Sequence, residues 1–62
     1  RRALILRHGE EMHRRKGDAG IREMRKHLAW YSRGTPGAAA FRAELVRVST
    51  LDDFRAAVER FF

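Results

Sequence analysis

The sequence predicts an all-α protein, a compact four-helix bundle or array in which residues 1–62 form one domain. Three observations support this prediction. Apolar residues recur at helical spacing, no segment alternates with the period of two typical of an exposed strand, and three corners rich in glycine or capping residues divide the chain. With 62 residues and no cysteine, the chain offers a modest core, no disulfide and no thiolate zinc site.

The first predicted helix ends at a corner formed by residues 16–18. Gly9 lies inside this helix, where it costs roughly 1 kcal/mol relative to alanine. A close approach of a neighbouring helix, or a kink, would explain the glycine. The apolar side carries Leu4, Ile5, Leu6 and Met12. On the outer side we expect the i,i+4 ion pairs Glu10–Arg14 and Glu11–Arg15.

The second helix is predicted from an apolar stripe at 3-4-3 spacing, formed by Ile21, Met24, Leu28 and Tyr31. We expect Gly34 to end this helix in a left-handed conformation. Thr35 would then cap the third helix, with Pro36 at its first position, where the missing N–H costs nothing.

The last two helices repeat the same spacing. The third carries Ala38, Phe41, Leu45 and Val48, and the fourth carries Leu51, Phe54, Val58 and Phe61. Thr50 followed by Asp53 predicts a capping box at the start of the fourth helix. We expect Phe41, Phe54, Phe61 and Tyr31 to be the bulky filling of the core.

The charge of the chain is strongly positive. Lysine and arginine total 14 against 8 acids, for a formal net charge of +6. Arginine dominates, and it suits phosphate contact and base stacking better than lysine does. Net charge alone speaks only to solubility and non-specific binding, so a partner has to be argued from where the cations lie.

The outer face of the second helix concentrates these cations. At about 100° per residue, the core stripe leaves Arg22, Arg25, Lys26, Ala29 and Arg33 on the opposite side. Such a face can neutralise phosphates and release counterions, which predicts nucleic-acid binding. Arg42 and Arg47 would extend it if they face the same way, which the sequence does not fix.

Trp30 lies at the edge of this basic face, and two roles are open for it. The indole could stack on an exposed base or lie against a ribose. Alternatively, it could be half-buried at the rim of the bundle, with Lys26 or Arg33 over its face.

Metal and catalytic sites are not expected. His8 and His13 are five residues apart and lie on different helix faces, and His27 is expected to be isolated from both. The hydroxyls of Ser32, Thr35, Ser49 and Thr50 fall at helix ends, where they have capping roles. No apolar run approaches the ~20 residues of a membrane span, so we expect no membrane association.

One segment carries a family resemblance. Arg25-Lys26-His27-x-x-Trp30-Tyr31, then Gly34-x-Pro36-Gly37-Ala38, then Phe41-Arg42, is similar to the signature near the C-terminus of bacterial tRNA-dihydrouridine synthases. The B-type branch, linked by operon to nitrogen regulation, fits best. Gly9 and residues 17–20 also look like that domain. Arg7-His8 departs from the aromatic residue expected before Gly9, which affects packing around the first helix.

The resemblance implies a larger cytoplasmic enzyme. In that family, a flavin-binding (β/α)₈ barrel precedes a C-terminal helical domain. NADPH reduces FMN, the flavin passes a hydride to a uracil ring in tRNA, and a cysteine of the barrel supplies the proton. This chain starts at Arg1 and has no cysteine. We therefore expect an excised, non-catalytic tRNA-binding domain that holds no cofactor, with tRNA and its own N-terminal barrel as partners.

The candidate RNA-binding residues combine the basic face with the family signature. The resemblance assigns RNA contact to Arg25, Lys26 and His27. The full set is Arg22, Arg25, Lys26, His27, Trp30, Arg33 and Arg42. Two other functions are open: a DNA-binding helix-turn-helix module, and a protein-interaction domain or helical cap packed on its own barrel.

Overall fold

The computed structural model describes all of residues 1–62 and contains four α-helices and no strand, which confirms the predicted class. The helices are α1 (Arg2–Lys16), α2 (Asp18–Tyr31), α3 (Ala38–Glu44) and α4 (Leu51–Phe61). A 3₁₀ turn, Leu45–Arg47, continues directly from α3. No helix has the length and apolar character needed to cross a membrane.

The helices α2 and α4 both run antiparallel to α1. Gly17 alone separates α1 from α2, at a φ of 64° that favours glycine. At the other end, the Arg1 guanidinium donates to the Tyr31 carbonyl. The Arg2 guanidinium donates to the Glu59 carbonyl, 3.0 Å away, at the end of α4. These contacts place α1 between its two neighbours.

The core is one cluster of ten buried apolar residues, to which every helix contributes. They are Ile5, Ile21, Met24, Leu28, Phe41, Leu45, Val48, Phe54, Ala57 and Val58. Tyr31 and Phe61, predicted as core filling, are only partly buried and pack against this cluster. Leu4, assigned to the apolar side of the first helix, is 60% exposed and lies outside the core.

Gly9 is explained by the close approach of α4. A Cβ atom built on Gly9 would lie 2.1 Å from both Cε2 and Cζ of the Phe54 ring. The ring is fully buried and therefore has no open space to move into. Gly20 serves the same purpose between α1 and α2, since its Cβ would lie 2.4 Å from the Met12 carbonyl oxygen. Of the two explanations given for Gly9, the close approach is confirmed.

The ion pairs on α1 differ from those expected. The predicted pairs Glu10–Arg14 and Glu11–Arg15 are wrong. Glu10 lies beside α4 and accepts from Arg55 at 3.3 Å, while Glu11 pairs with Arg14 one turn ahead. The sequence could not show this because a residue 45 positions away competes for the carboxylate. Exposed pairs of this kind contribute about 0–1 kcal/mol each.

The prediction for the corner between α2 and α3 is confirmed for Gly34 and wrong for Thr35 and Pro36. Gly34 is left-handed, with a φ of 75°. Thr35 does not cap α3, and Pro36 does not begin it. Gly37 is itself left-handed, with a φ of 84°, so a right-handed helix cannot run through it and α3 starts at Ala38. Backbone turns fill the gap, as the Ala38 N–H donates to the Thr35 carbonyl.

The capping box of α4 is confirmed. The Thr50 hydroxyl accepts from the Asp53 N–H at 3.1 Å, and an Asp53 carboxylate oxygen accepts from the Thr50 N–H at 3.2 Å. The same oxygen accepts from the Ser49 N–H at 3.1 Å. These backbone donors, that of Ser49 first, hold the pKa of Asp53 below its usual value of 3.8.

We predict that Gly9→Ala destabilises the fold by about 1–3 kcal/mol, because the added methyl group overpacks the buried Phe54 ring. Urea unfolding followed by circular dichroism measures the effect. In a Phe54→Leu background the same Gly9→Ala change should cost less, so the double variant should be less destabilised than the sum of the two single variants. A cost that is equal in both backgrounds would contradict the assigned contact.

We predict an acid dependence of stability that passes through Asp53. Its pKa is lowered in the folded state, so its contribution is present above pH 3.8 and is lost as pH falls through the lowered pKa. Thermal melts of the wild type and of Asp53→Asn measure this dependence. The melts are recorded from about pH 2 to about pH 6, which brackets the usual pKa of an aspartate. The variant should show the flatter profile, and parallel profiles would contradict the account.

Candidate nucleic-acid interface

The outer face of α2 is exposed because the opposite side of the helix is committed to the core. Ile21, Met24 and Leu28 are fully buried and fix the rotation of α2 about its axis. Most of the positions on the opposite side of α2 then face solvent, with Arg25 as an exception. Arg22, Lys26, His27, Trp30 and Arg33 are all exposed, as the helical spacing predicts.

An open depression collects three cations around Trp30. Its lining consists of Lys26, Ala29, Trp30, Arg33 and Arg42. Ala29 contributes only a methyl group, which leaves the depression open. Arg42 comes from α3, so the orientation that the sequence left undecided brings this residue to the face. We call Arg22, Lys26, Trp30, Arg33 and Arg42 the basic face.

Arg47 lies elsewhere. It lines a separate groove between the 3₁₀ turn and α4, together with Ala56, Ala57 and Arg60. It therefore does not extend the basic face. The four residues between Arg42 and Arg47 turn the chain from α2 toward α4, which periodicity alone does not reveal.

The cations of the basic face have no acidic partners. None of the four has a carboxylate oxygen within 4.0 Å, whereas Arg14, Lys16, Arg55 and Arg60 all do. Glu23 is the acid on α2 nearest to them in sequence, and it is turned toward Lys16, 3.0 Å away on α1. No ion pair therefore neutralises the cations of the basic face, which suits an anionic partner.

The contact with Lys16 also lowers the pKa of Glu23 below its usual value. The hydrogen bond from Lys16 is the largest cause that lowers the pKa of Glu23. Desolvation opposes it, and the charges of Lys16, Lys26 and His27 lower the pKa further. The carboxylate is thus a fixed negative charge at the edge of the basic face, held away from the depression by Lys16.

The exposure of Trp30 does not agree with the predicted role in which it is half-buried at the rim of the bundle. The side chain is 66% exposed, so it is not half-buried at a rim of this domain. No cation lies over its ring, since the one cation–π contact in the structure joins Arg1 to Phe62. The Tyr31 ring meets the indole edge to face, with centroids 5.8 Å apart. The partly buried Tyr31 thereby supports the exposed ring.

Arg25 is drawn away from the basic face. It is half-buried, and its Nε donates to the Val48 carbonyl at 2.8 Å. Its Nη2 donates to the Ser49 hydroxyl at 3.2 Å. The guanidinium therefore links α2 to the segment that leads into α4. RNA contact by Arg25 stays a prediction, and it would have to use the guanidinium N–H groups that do not donate to Val48 or Ser49.

His27 has a neighbour that the sequence did not reveal. The expectation that it is isolated from the other histidines is wrong. Its ring centroid lies 4.9 Å from that of His8, because the antiparallel packing of α1 and α2 brings these positions together. No group of three or more side chains suited to metal coordination is present.

A small helical domain with an uncompensated basic face around an exposed aromatic ring has the features of a nucleic-acid-binding module. Comparison with known proteins gives the family. The family model for dihydrouridine synthase matches residues 1–62, and the chain therefore belongs to the dihydrouridine synthase family.

Individual relatives agree. The chain is 40% identical over 58 residues, 92% of its length, to a probable tRNA-dihydrouridine synthase of Mycobacterium tuberculosis. It is 39% identical over 61 residues, 97% of its length, to tRNA-dihydrouridine synthase B of Pseudomonas aeruginosa. It spans only 15% and 18% of these two proteins, respectively. No solved structure matches the chain significantly.

We predict that Arg25→Ala and Lys26→Ala differ in their effect on stability. Arg25→Ala removes two hydrogen bonds from a charged, half-buried donor and should cost roughly 1 kcal/mol or more. Lys26→Ala removes an exposed side chain and should stay within about 0.5 kcal/mol of the wild type. Thermal or urea unfolding measures both, and equal effects would contradict the role assigned to Arg25.

Proposed function

We propose that this chain is the C-terminal helical tRNA-recognition domain of a flavin-dependent tRNA-dihydrouridine synthase of the B-type branch. The observation that carries the proposal is the set of three cations, Lys26, Arg33 and Arg42, around one open depression without an acidic partner. Family membership and relatives named for tRNA support the choice of nucleic acid.

The proposed mechanism is positioning. Cations on the face replace condensed counterions along the tRNA backbone, and the released ions favour association at low salt. A uracil inside folded tRNA must leave its stack before it can be reduced, at a cost of a few kcal/mol. Contacts made by this domain would offset part of that cost and orient the tRNA toward the catalytic part of the enzyme.

The basic face does not suit FMN. The depression in the basic face is open and is lined by three exposed cations, Ala29 and the exposed Trp30, so it offers no enclosed apolar cleft for an isoalloxazine ring. We therefore propose that the FMN and NADPH sites, the catalytic cysteine and the (β/α)₈ barrel belong to a part of the enzyme outside these 62 residues. Reduction itself would be the chemistry of that part.

The geometry argues against a DNA-binding helix-turn-helix module. Such modules join their helices by a turn of 3–4 residues, whereas residues 32–37 separate α2 from α3 here. The exposed start of α3 presents Ala39 and Ala40, which cannot hydrogen-bond to base edges. A recognition helix would need polar side chains at these positions.

A helical cap that packs on its own barrel stays the alternative. The 66% exposure of Trp30 favours it to the same extent as it favours RNA binding, because either partner could cover the ring. The cations without ion pairs favour RNA over a protein partner, since a protein interface tends to exclude charge from its centre.

We predict that the chain binds tRNA with a steep salt dependence. Lys26→Ala, Arg33→Ala and Arg42→Ala should each weaken binding and make the slope of log K against log salt shallower by about 1, because each change removes one phosphate contact. Fluorescence anisotropy with labelled tRNA, titrated over a range of salt concentrations, measures both quantities.

Arg15→Ala and Arg47→Ala are the matched controls. Both remove one exposed cation without an acidic partner, from α1 and from the groove beside α4. They should leave the slope nearly unchanged. If controls and test variants had equal effects, the cations of the basic face would contribute only through the net charge of the chain. Absence of binding at low salt would contradict the proposed function.

A further inference from the structure

Trp30 presents an uncovered aromatic surface in the middle of the basic face. Its side chain is 66% exposed although it is the largest apolar side chain in the chain. No side-chain cation covers it, and only the edge contact with Tyr31 supports it. Phosphate binding alone does not require such a surface, because the cations would suffice.

Cations surround the indole along α2 and across to α3. Lys26 lies one helical turn before Trp30 on the same side of α2, and Arg33, in the turn that follows α2, lines the same depression. Arg42 reaches the same depression from α3. A flat apolar ring therefore lies between positive groups on more than one side.

This arrangement matches the chemistry of a nucleotide with an unpaired base. Such a base has a free π-face that can stack on an aromatic ring, and the phosphates on either side of it carry the negative charge. In an A-form duplex the bases are stacked inside the helix, so a paired segment would reach the cations and leave the indole uncovered.

We propose that Trp30 stacks on an unpaired base of the RNA, with Lys26, Arg33 and Arg42 on the neighbouring phosphates. The inference rests on the proposed function and deepens it, because it assigns the site to a loop or an extruded nucleotide. Ala29 leaves the space beside the ring open for the base. The Tyr31 ring contacts the indole edge to face, and most of the indole surface stays free for the base.

Trp30 is the single tryptophan of the chain, so its fluorescence reports this site alone. The experiment titrates the 62-residue chain with three RNAs: a tRNA transcript, a hairpin with an unpaired purine loop, and a blunt duplex with the same number of phosphates as the hairpin. Fluorescence and anisotropy are both recorded, for the wild type, Trp30→Phe and Trp30→Ala.

We expect the hairpin and the tRNA to quench Trp30, and the duplex to bind more weakly without quenching. Trp30→Ala should weaken binding of the hairpin by about tenfold. Trp30→Phe should retain much of the affinity, and neither change should alter the salt slope, since no charge is removed.

The outcomes separate this inference from the proposed function. Binding of tRNA that depends on salt but leaves Trp30 unquenched and unaffected by Trp30→Ala would overturn the stacking and leave the proposed function standing. Equal affinity for duplex and hairpin would overturn it as well. Absence of binding to all three RNAs at low salt would overturn both.

Discussion

The seating of the Phe54 ring on Gly9 is the contact on which the arrangement of the helices depends. The ring fills the space that a side chain at position 9 would occupy, so α4 approaches the backbone of α1 closely. Gly20 allows the same closeness between α1 and α2, at the carbonyl of Met12. In a chain of 62 residues, a core of ten buried side chains gives only a small free energy of unfolding. Two close helix contacts, rather than a large apolar volume, therefore hold α1 between its neighbours.

The basic face follows from this packing. Once α1 and α4 are in place, Ile21, Met24 and Leu28 have one direction in which to bury, and the rotation of α2 is fixed. The cations on the other side of α2 are then held in the open, and α3 adds Arg42 beside them. The acids of the chain are used by α1, α4 and the caps, as in the pair Glu10–Arg55. The fold thus leaves the four cations of the basic face without ion pairs, while cations on α1 and α4 have acidic partners.

Local patterns predicted well where the cause was local. The stripe of α2, the capping box of Thr50 and Asp53, and the left-handed Gly34 each depend on residues within a turn or two. The failures involve partners far apart in the chain. Periodicity could not show that Glu10 would prefer Arg55 or that His8 would meet His27. The predicted start of α3 was wrong for a different reason. Gly37 as well as Gly34 is left-handed, so the corner extends to residue 37 and the helix begins after it. For the candidate site, the exposure of Lys26 and Arg33 was predictable, whereas the engagement of Arg25 by the Val48 carbonyl was not.

The central claim is that the basic face, and not the net charge of the whole domain, meets RNA. The most direct measurement is a two-dimensional ¹H–¹⁵N NMR titration of the labelled chain with tRNA at moderate salt. The account predicts that shifts concentrate at the amides of Lys26, Ala29, Arg33 and Arg42 and at the indole N–H of Trp30, while the groove of Arg7, Glu11 and Arg55 between α1 and α4 stays unchanged. Shifts spread evenly over all exposed arginines, or centred on the α1–α4 groove, would contradict it.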